Sequence, residues 1–195
     1  MQKLILSAMA LLLSACVSNV KVSENQAITT VPKDKAQIVF LRSTSVNALV
    51  NTAIYDVTTG TPKLVGNIPN GTKVVAEFAP GNYVFMVGNN GHQDILRASV
   101  LAQKRYHVVV NAYWPANFSM RPFRQKDSEF TYASSKFTDL MGATQIVMET
   151  PESIAKADQD REKTSAFYQQ AWQKWQAKTN EQKETLTLNK EDYLD

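Results

Sequence analysis

Tyr106-His107-Val108-Val109-Val110-Asn111-Ala112-Tyr113 is the stretch that decides the fold class of this chain. Alternate side chains of a strand point to opposite faces. Tyr106, Val108, Val110 and Ala112 therefore share one oily face, while His107, Val109 and Asn111 share a mixed one. A sheet with one face in a core has this pattern. Working back toward the amino terminus, further short β-rich runs follow one another with turn residues between them: Gln37 to Arg42, Ala53 to Val57, Leu64 to Ile68, Thr72 to Phe78, Tyr83 to Val87 and Ile95 to Leu101. Thr58, Thr59, Gly60 and Pro62 break the chain once, Pro69, Asn70 and Gly71 again, and Pro80 and Gly81 a third time. Asn70 and Gly71 both tolerate positive φ and predict a hairpin turn. In Tyr83 to Val87 both faces are apolar, which predicts a central strand. About seven short strands at this spacing predict a mainly β fold, an antiparallel β-sandwich.

The first residues carry an address. Lys3 supplies a positive region, Leu4 to Leu13 an apolar one, and Ser14 and Ala15 the small side chains that a signal peptidase accommodates. Cys16, the only cysteine among 195 residues, follows directly. The apolar run is too short to span a bilayer as a helix, which takes about 20 residues, and polar Ser18, Asn19, Lys21 and Ser23 end it. Leu13-Ser14-Ala15-Cys16 resembles the lipobox of bacterial lipoproteins. The resemblance implies cleavage between Ala15 and Cys16, a diacylglycerol on the Cys16 thiol and acylation of the new amino terminus. Two or more chains hold stably in a bilayer, each buried methylene contributing about 0.8 kcal/mol. Val17 in place of an aspartate resembles the pattern that sorts lipoproteins to the outer membrane. Residues 16–35 are polar and small up to Pro32 and are expected to form a flexible tether with a span of about 20 to 30 Å.

Charge narrows the choice of partner. The 21 basic and 18 acidic side chains give +3, which falls to +2 if Lys3 leaves with the leader. That balance is too even for a nucleic-acid partner. One domain of ordinary size is expected over residues 36–150, with a helical extension over 151–195.

A second resemblance lies in the middle of the chain. Gly66, Asn70 and Gly71, then Phe78-Ala79-Pro80-Gly81-Asn82-Tyr83, and later Lys104-Arg105-Tyr106-His107 resemble a group of bacterial lipoprotein domains of uncharacterised function with a prealbumin-like, or immunoglobulin-like, sandwich. The likeness covers residues 36–115 and implies a fold and an envelope setting, but no reaction.

After Trp114 and Pro115 the chain is aromatic and basic, with Phe118, Arg121, Phe123, Arg124, Lys126, Phe130, Tyr132 and Phe137. Edge strands or a cover for the sandwich are expected here. Thr150-Pro151-Glu152 is a helix start: a hydroxyl cap, a proline at the first position and an acid at the positive end. The helix is expected to reach Lys178, with Phe167, Tyr168, Ala171, Trp172 and Trp175 as its aromatic face. Leu186, Leu188, Tyr193 and Leu194 belong to a last segment that either docks weakly or stays mobile.

Residues suited to catalysis are few. Apart from Cys16 there are His92, in a glycine-rich loop close to Asp94, and His107, read as half-exposed on its strand. No H-E-x-x-H pattern points to a metal, and no nucleophile motif accompanies His92. Gly88 to Gly91 reads as a hairpin loop rather than an anion cradle, since no phosphate-loop pattern surrounds it. Neither a catalytic residue, a metal nor a cofactor is expected. Trp114, Phe118, Arg121, Phe123 and Arg124 could stack on and grip an anionic ligand or partner, against a core role that aromatics fill more often. Trp172 and Trp175 either clamp the helix to the sandwich or face a partner, and clamping is the stronger reading.

The expectation is therefore a non-enzymatic outer-membrane lipoprotein on the periplasmic side, a binding or assembly module. Its partners would be the membrane, through its lipid, and an envelope protein or peptidoglycan. The alternatives are a cell-wall (peptidoglycan) enzyme or enzyme accessory, and an accessory subunit of a secretion or efflux complex.

Overall fold

A computed structural model describes residues 20–89, 92–126 and 128–194. Ala15 and Cys16 lie outside the described residues, as does the leader. In chain order the strands are β1 (Val20–Val22), β2 (Ala36–Arg42), β3 (Ala53–Asp56), β4 (Lys63–Asn67), β5 (Thr72–Phe78), β6 (Gly81–Asn89), β7 (His92–Val100), β8 (Arg105–Tyr113), β9 (Asn117–Pro122), β10 (Gln145–Glu149), β11 (Thr187–Leu188) and β12 (Tyr193–Leu194). The helices are α1 (Ser135–Ala143), α2 (Pro151–Gln159), α3 (Arg161–Gln176) and α4 (Asn180–Thr185). None of the helices among the described residues is long and apolar enough to cross a membrane.

Two sheets make the sandwich. One runs β1-β10-β5-β2-β8-β12, with β9 also paired to β8, and the other runs β11-β7-β6-β3-β4. The face Tyr106, Val108, Val110, Ala112 lies in the core between them with Ile38, Phe40, Phe85, Leu96 and Ala98. The Tyr83–Val87 run is central as expected, because β6 pairs with β3 on one side and β7 on the other. The purely antiparallel expectation needs correction. Strand β2 lies parallel to β8, β10 parallel to β5, and β11 parallel to β7. Parallel pairing requires crossovers, and the alternation of side chains within a strand carries no information about the partner's direction.

Both outer faces are covered as well. On the first sheet Val39, Leu41 and Val109 pack under Phe123, Phe130 and Leu140, with Ile28, Tyr132, Phe137 and Met141 alongside. On the second, Val57, Met86 and Ile95 pack under Ala171 and Trp175 of α3 and Leu186. Every residue of β2 is consequently buried.

The expected tether is docked from Val20 on. Strand β1 pairs with β10, and the Gln26 side chain imitates a further strand residue: its Oε1 accepts from Ile146 N at 2.7 Å and its Nε2 donates to Ile146 O at 3.2 Å. Polar composition misled here because these polar side chains satisfy backbone groups instead of solvent.

The expected helix starts at Thr150, whose hydroxyl accepts from Ser153 N in a reciprocal capping box, but it breaks at Asp160 (φ −83°, ψ 7°), after which α3 begins. The last segment is docked on the sandwich. Leu186 and Leu188 are buried, β12 extends the first sheet, and the Tyr106 and Tyr132 hydroxyls donate to the carbonyls of Lys190 and Asp192.

Candidate ligand-binding cleft

The aromatic and basic segment is divided among several environments and makes no single surface. Phe118 points into the core between the sheets, Phe123 into the cluster outside the first sheet, and Trp114 is 83% exposed at the β8–β9 turn. Arg121 is half-buried, and its Nη1 donates to Met120 O. Arg124 donates to the carbonyls of Glu184 and Thr187 and pairs with the Glu184 carboxylate, pinning β11. Trp175 of α3 is buried against Val57, Met86 and Ile95 and Trp172 is partly so, which is the clamping arrangement.

His92 and Asp94 do not form a pair. The His92 Nδ1 is hydrogen-bonded to Asn117 Oδ1 at 2.9 Å, while Asp94 faces Lys178 at 3.5 Å. Burial raises the Asp94 pKa, and Lys178 partly offsets the rise. His107 is not half-exposed but 1% exposed, edge-on to Phe137 and Tyr132. Burial first, and then the charges of Arg105 and Lys73, lower its pKa to about 3, so it is a neutral core residue at neutral pH. Of Gly88 to Gly91, Gly88 belongs to β6 and pairs with Gln93, while residues 90 and 91 fall outside the described residues. Among the described residues no cluster of three histidine, cysteine, aspartate or glutamate side chains is placed to hold a metal.

A different site emerges between the second sheet and the α2–α3 corner. A cleft of about 290 Å³ has a sheet side formed by Thr52, Ala53, Tyr55, Met86, Gly88 and Gln93, and a helix side formed by Lys156, Asp160, Lys163, Thr164 and Phe167. Registration puts Ala53, Gly88 and Gln93 in one row across β3, β6 and β7. Gly88 has φ +134°, and a Cβ there would stand 2.3 Å from His92 O, so only glycine fits the row. Thr52 is held from behind. Its carbonyl accepts from Ile68 N, and the Ile68 carbonyl in turn accepts from the buried guanidinium of Arg42 at 2.8 Å. The other Arg42 amino group donates to Asn47 O at 2.8 Å, its guanidinium carbon lies 5.0 Å from the Phe118 ring centroid, and burial lowers its pKa to about 10.

The helix side is fixed through Glu149. Its carboxylate accepts from Asn67 N at 2.5 Å, from Asn67 Nδ2 at 2.7 Å and from the Ser153 hydroxyl, which ties the start of α2 to β4. The Tyr55 hydroxyl is hydrogen-bonded to Thr164, and burial, more than nearby Asp160 or Glu149, raises its pKa.

Within this frame two polar side chains lack partners. Gln93 is 6% exposed, and both its Oε1 and its Nε2 are unpaired; Thr52 is 3% exposed with an unpaired hydroxyl. Leaving a buried polar atom unsatisfied costs about 1–3 kcal/mol. Each such group calls for an explanation, an ordered water or ion among them. Larger grooves, such as the one of about 690 Å³ beside β4, have no such atom in their walls. Lys156 and Lys163 stand at the mouth, Lys156 paired with Asp160 at 3.1 Å and Lys163 lying 5.7 Å from the Phe167 ring centroid.

Sequence reasoning missed this site altogether. The one local signal is that Gln93 shares a strand face with apolar Ile95, so an amide stands where an apolar side chain would pack. Comparison with known proteins adds no relative: no family model matches the chain and no curated protein shows significant similarity to it.

Proposed function

We propose that this chain is a lipid-anchored protein of the bacterial outer membrane, facing the periplasm, and that its sandwich is a non-enzymatic binding module with the cleft under α3 as its ligand site. The binding half is supported by the cleft beside α3, whose wall includes the buried Gln93 side chain with neither polar atom paired. A side chain that only filled space would be apolar there. The anchoring half is supported by Leu13-Ser14-Ala15-Cys16.

Position adds a consequence. Val20 is already in a sheet, so only a few residues separate Cys16 from the folded body, and an extended chain of four covers at most about 14 Å. A lipid on Cys16 would hold the module against the bilayer instead of some 20 to 30 Å away.

The test is mass spectrometry and fractionation of the chain expressed in a Gram-negative host, combined with thermal-shift assays on peptidoglycan fragments. The wild type is expected to begin at an acylated Cys16 and to sediment with outer membranes; Cys16→Ser is expected to lose both properties while keeping ligand-dependent stabilisation. An unmodified thiol at position 16 would refute the anchor. Turnover of a fragment would refute the non-enzymatic reading and favour a cell-wall enzyme.

A further inference from the structure

The groove of about 690 Å³ beside β4 falls within the size range of ligand sites, about 300 to 1,000 Å³. Leu64 and Val65 of β4 line one side, Ile154 and Ala157 of α2 the other, and Thr59, Thr61 and Pro62 come from the turn before β4. Ile154 is 50% exposed, and Leu64, Val65 and Ala157 are only half-buried, so both sides present apolar surface to water. The charges of the rim are mostly engaged: Glu149 with Asn67 and Ser153, and Asp158 with Arg161, while Lys63 is exposed. An occupant that covers this surface needs apolar area and few hydrogen bonds, which is the chemistry of an alkyl chain.

Strand directions bring the amino terminus to the same place. Residues 68–71 join Asn67 of β4 to Thr72 of β5, so those two ends lie together, and Lys63 and Phe78 lie toward the opposite end of the sandwich. Strand β10 runs parallel to β5, and β1 runs antiparallel to β10, so the chain enters β1 from that opposite end. Val20, the first residue of β1, is paired with Glu149 of the groove wall. Four extended residues cover at most about 14 Å, which puts Cys16 within reach of the groove.

We propose that one acyl chain carried by Cys16 lies in the groove between β4 and α2, over Leu64, Val65 and Ile154. The inference rests on the lipobox reading of residues 13–16. A triacylated cysteine that places one chain here keeps two in the bilayer, and two hold stably. The β4 and α2 side of the sandwich then faces the membrane.

Photocrosslinking of the acylated full chain in a Gram-negative host tests this. In Ile154→benzoylphenylalanine, irradiation is expected to join the α2 peptide to the acyl group of the Cys16 peptide of the same chain, identified by mass spectrometry. Leu49→benzoylphenylalanine, 98% exposed in the loop after β2, is expected to give no such product. Ile154→Cys carries the test if the bulky side chain prevents folding, because acylation of Cys16 leaves the new thiol as the only one. Its reaction with a water-soluble maleimide is expected to be at least about tenfold slower in the acylated chain than in the double variant with Cys16→Ser, since thiol reactivity follows exposure. Glu152→Cys, exposed on the same helix, is expected to react equally fast in both backgrounds. Crosslinks from position 154 that reach only phospholipid or another protein overturn the inference, as does a thiol there that acylation of Cys16 does not protect. An unmodified Cys16 overturns the anchor and this inference together, whereas an acylated Cys16 without the intrachain product overturns this inference alone.

Discussion

His107 makes the folded state sensitive to mild acid. The ring is 1% exposed, its Nδ1 has no hydrogen-bond partner, and its neighbours are Phe137, Tyr132 and the cations Arg105 and Lys73, none of which welcomes a proton on the imidazole. Folding lowers its pKa from 6.5 to about 3. Between those values the unfolded chain takes up a proton that the folded chain refuses, so stability is unaffected above the unfolded pKa and is lost as the pH falls through it. The loss amounts to about 2 kcal/mol between pH 7 and pH 5, and then about 1.4 kcal/mol for each further unit down to the folded value. His107→Leu removes the titrating group. Urea unfolding of both proteins at constant ionic strength, every half unit from pH 7.5 to 4.5, isolates the effect. The buried carboxylates Asp94 and Asp192, whose pKa values burial raises, are common to both and cancel in the difference. The wild type is expected to lose about 2 kcal/mol relative to the variant by pH 5. Parallel curves, differing by less than about 0.5 kcal/mol over that range, would mean that the imidazole takes a proton in the folded state and that the burial argument is wrong.

Two further outcomes follow from the packing around the cleft and at the carboxyl terminus. Glu149→Ala leaves the Asn67 backbone and side-chain amides without their acceptor, while the Ser153 hydroxyl retains Thr150 O, and should cost about 2–3 kcal/mol, with Glu149→Gln costing less because an oxygen remains, both measured by urea unfolding. Leu188→Ala empties a fully buried position on a two-residue strand and should cost about 2–4 kcal/mol by the same measurement; a value near zero would mean that the segment is not docked in solution.

Much of the local structure was legible in the residues themselves. Strand alternation in Tyr106 to Ala112 identifies the core face because each side chain is placed by its own backbone. Likewise Thr150-Pro151 marks the start of α2 because the cap and the first turn lie within four residues of each other. Asn70-Gly71 turns the chain, with Gly71 at φ +75°, but the hairpin expected there does not form: β4 pairs with β3 and β5 with β2 and β10, so the turn passes from one sheet to the other. Beyond such distances the residues say little. Nothing in Ile38 to Leu41 announces that Tyr106 to Val109 will lie parallel to it, because backbone hydrogen bonds do not depend on side-chain identity. His107 looked half-exposed because its cover, Phe123 to Phe137, arrives from later in the chain and packs on a face that alternation left mixed. The cleft is the furthest case. Thr52, Gln93 and Lys163 come from three separate parts of the sequence, and only the packed fold removes the Gln93 amide from water and leaves it unpaired. That removal is a property of the packed whole, so tertiary structure alone decided it.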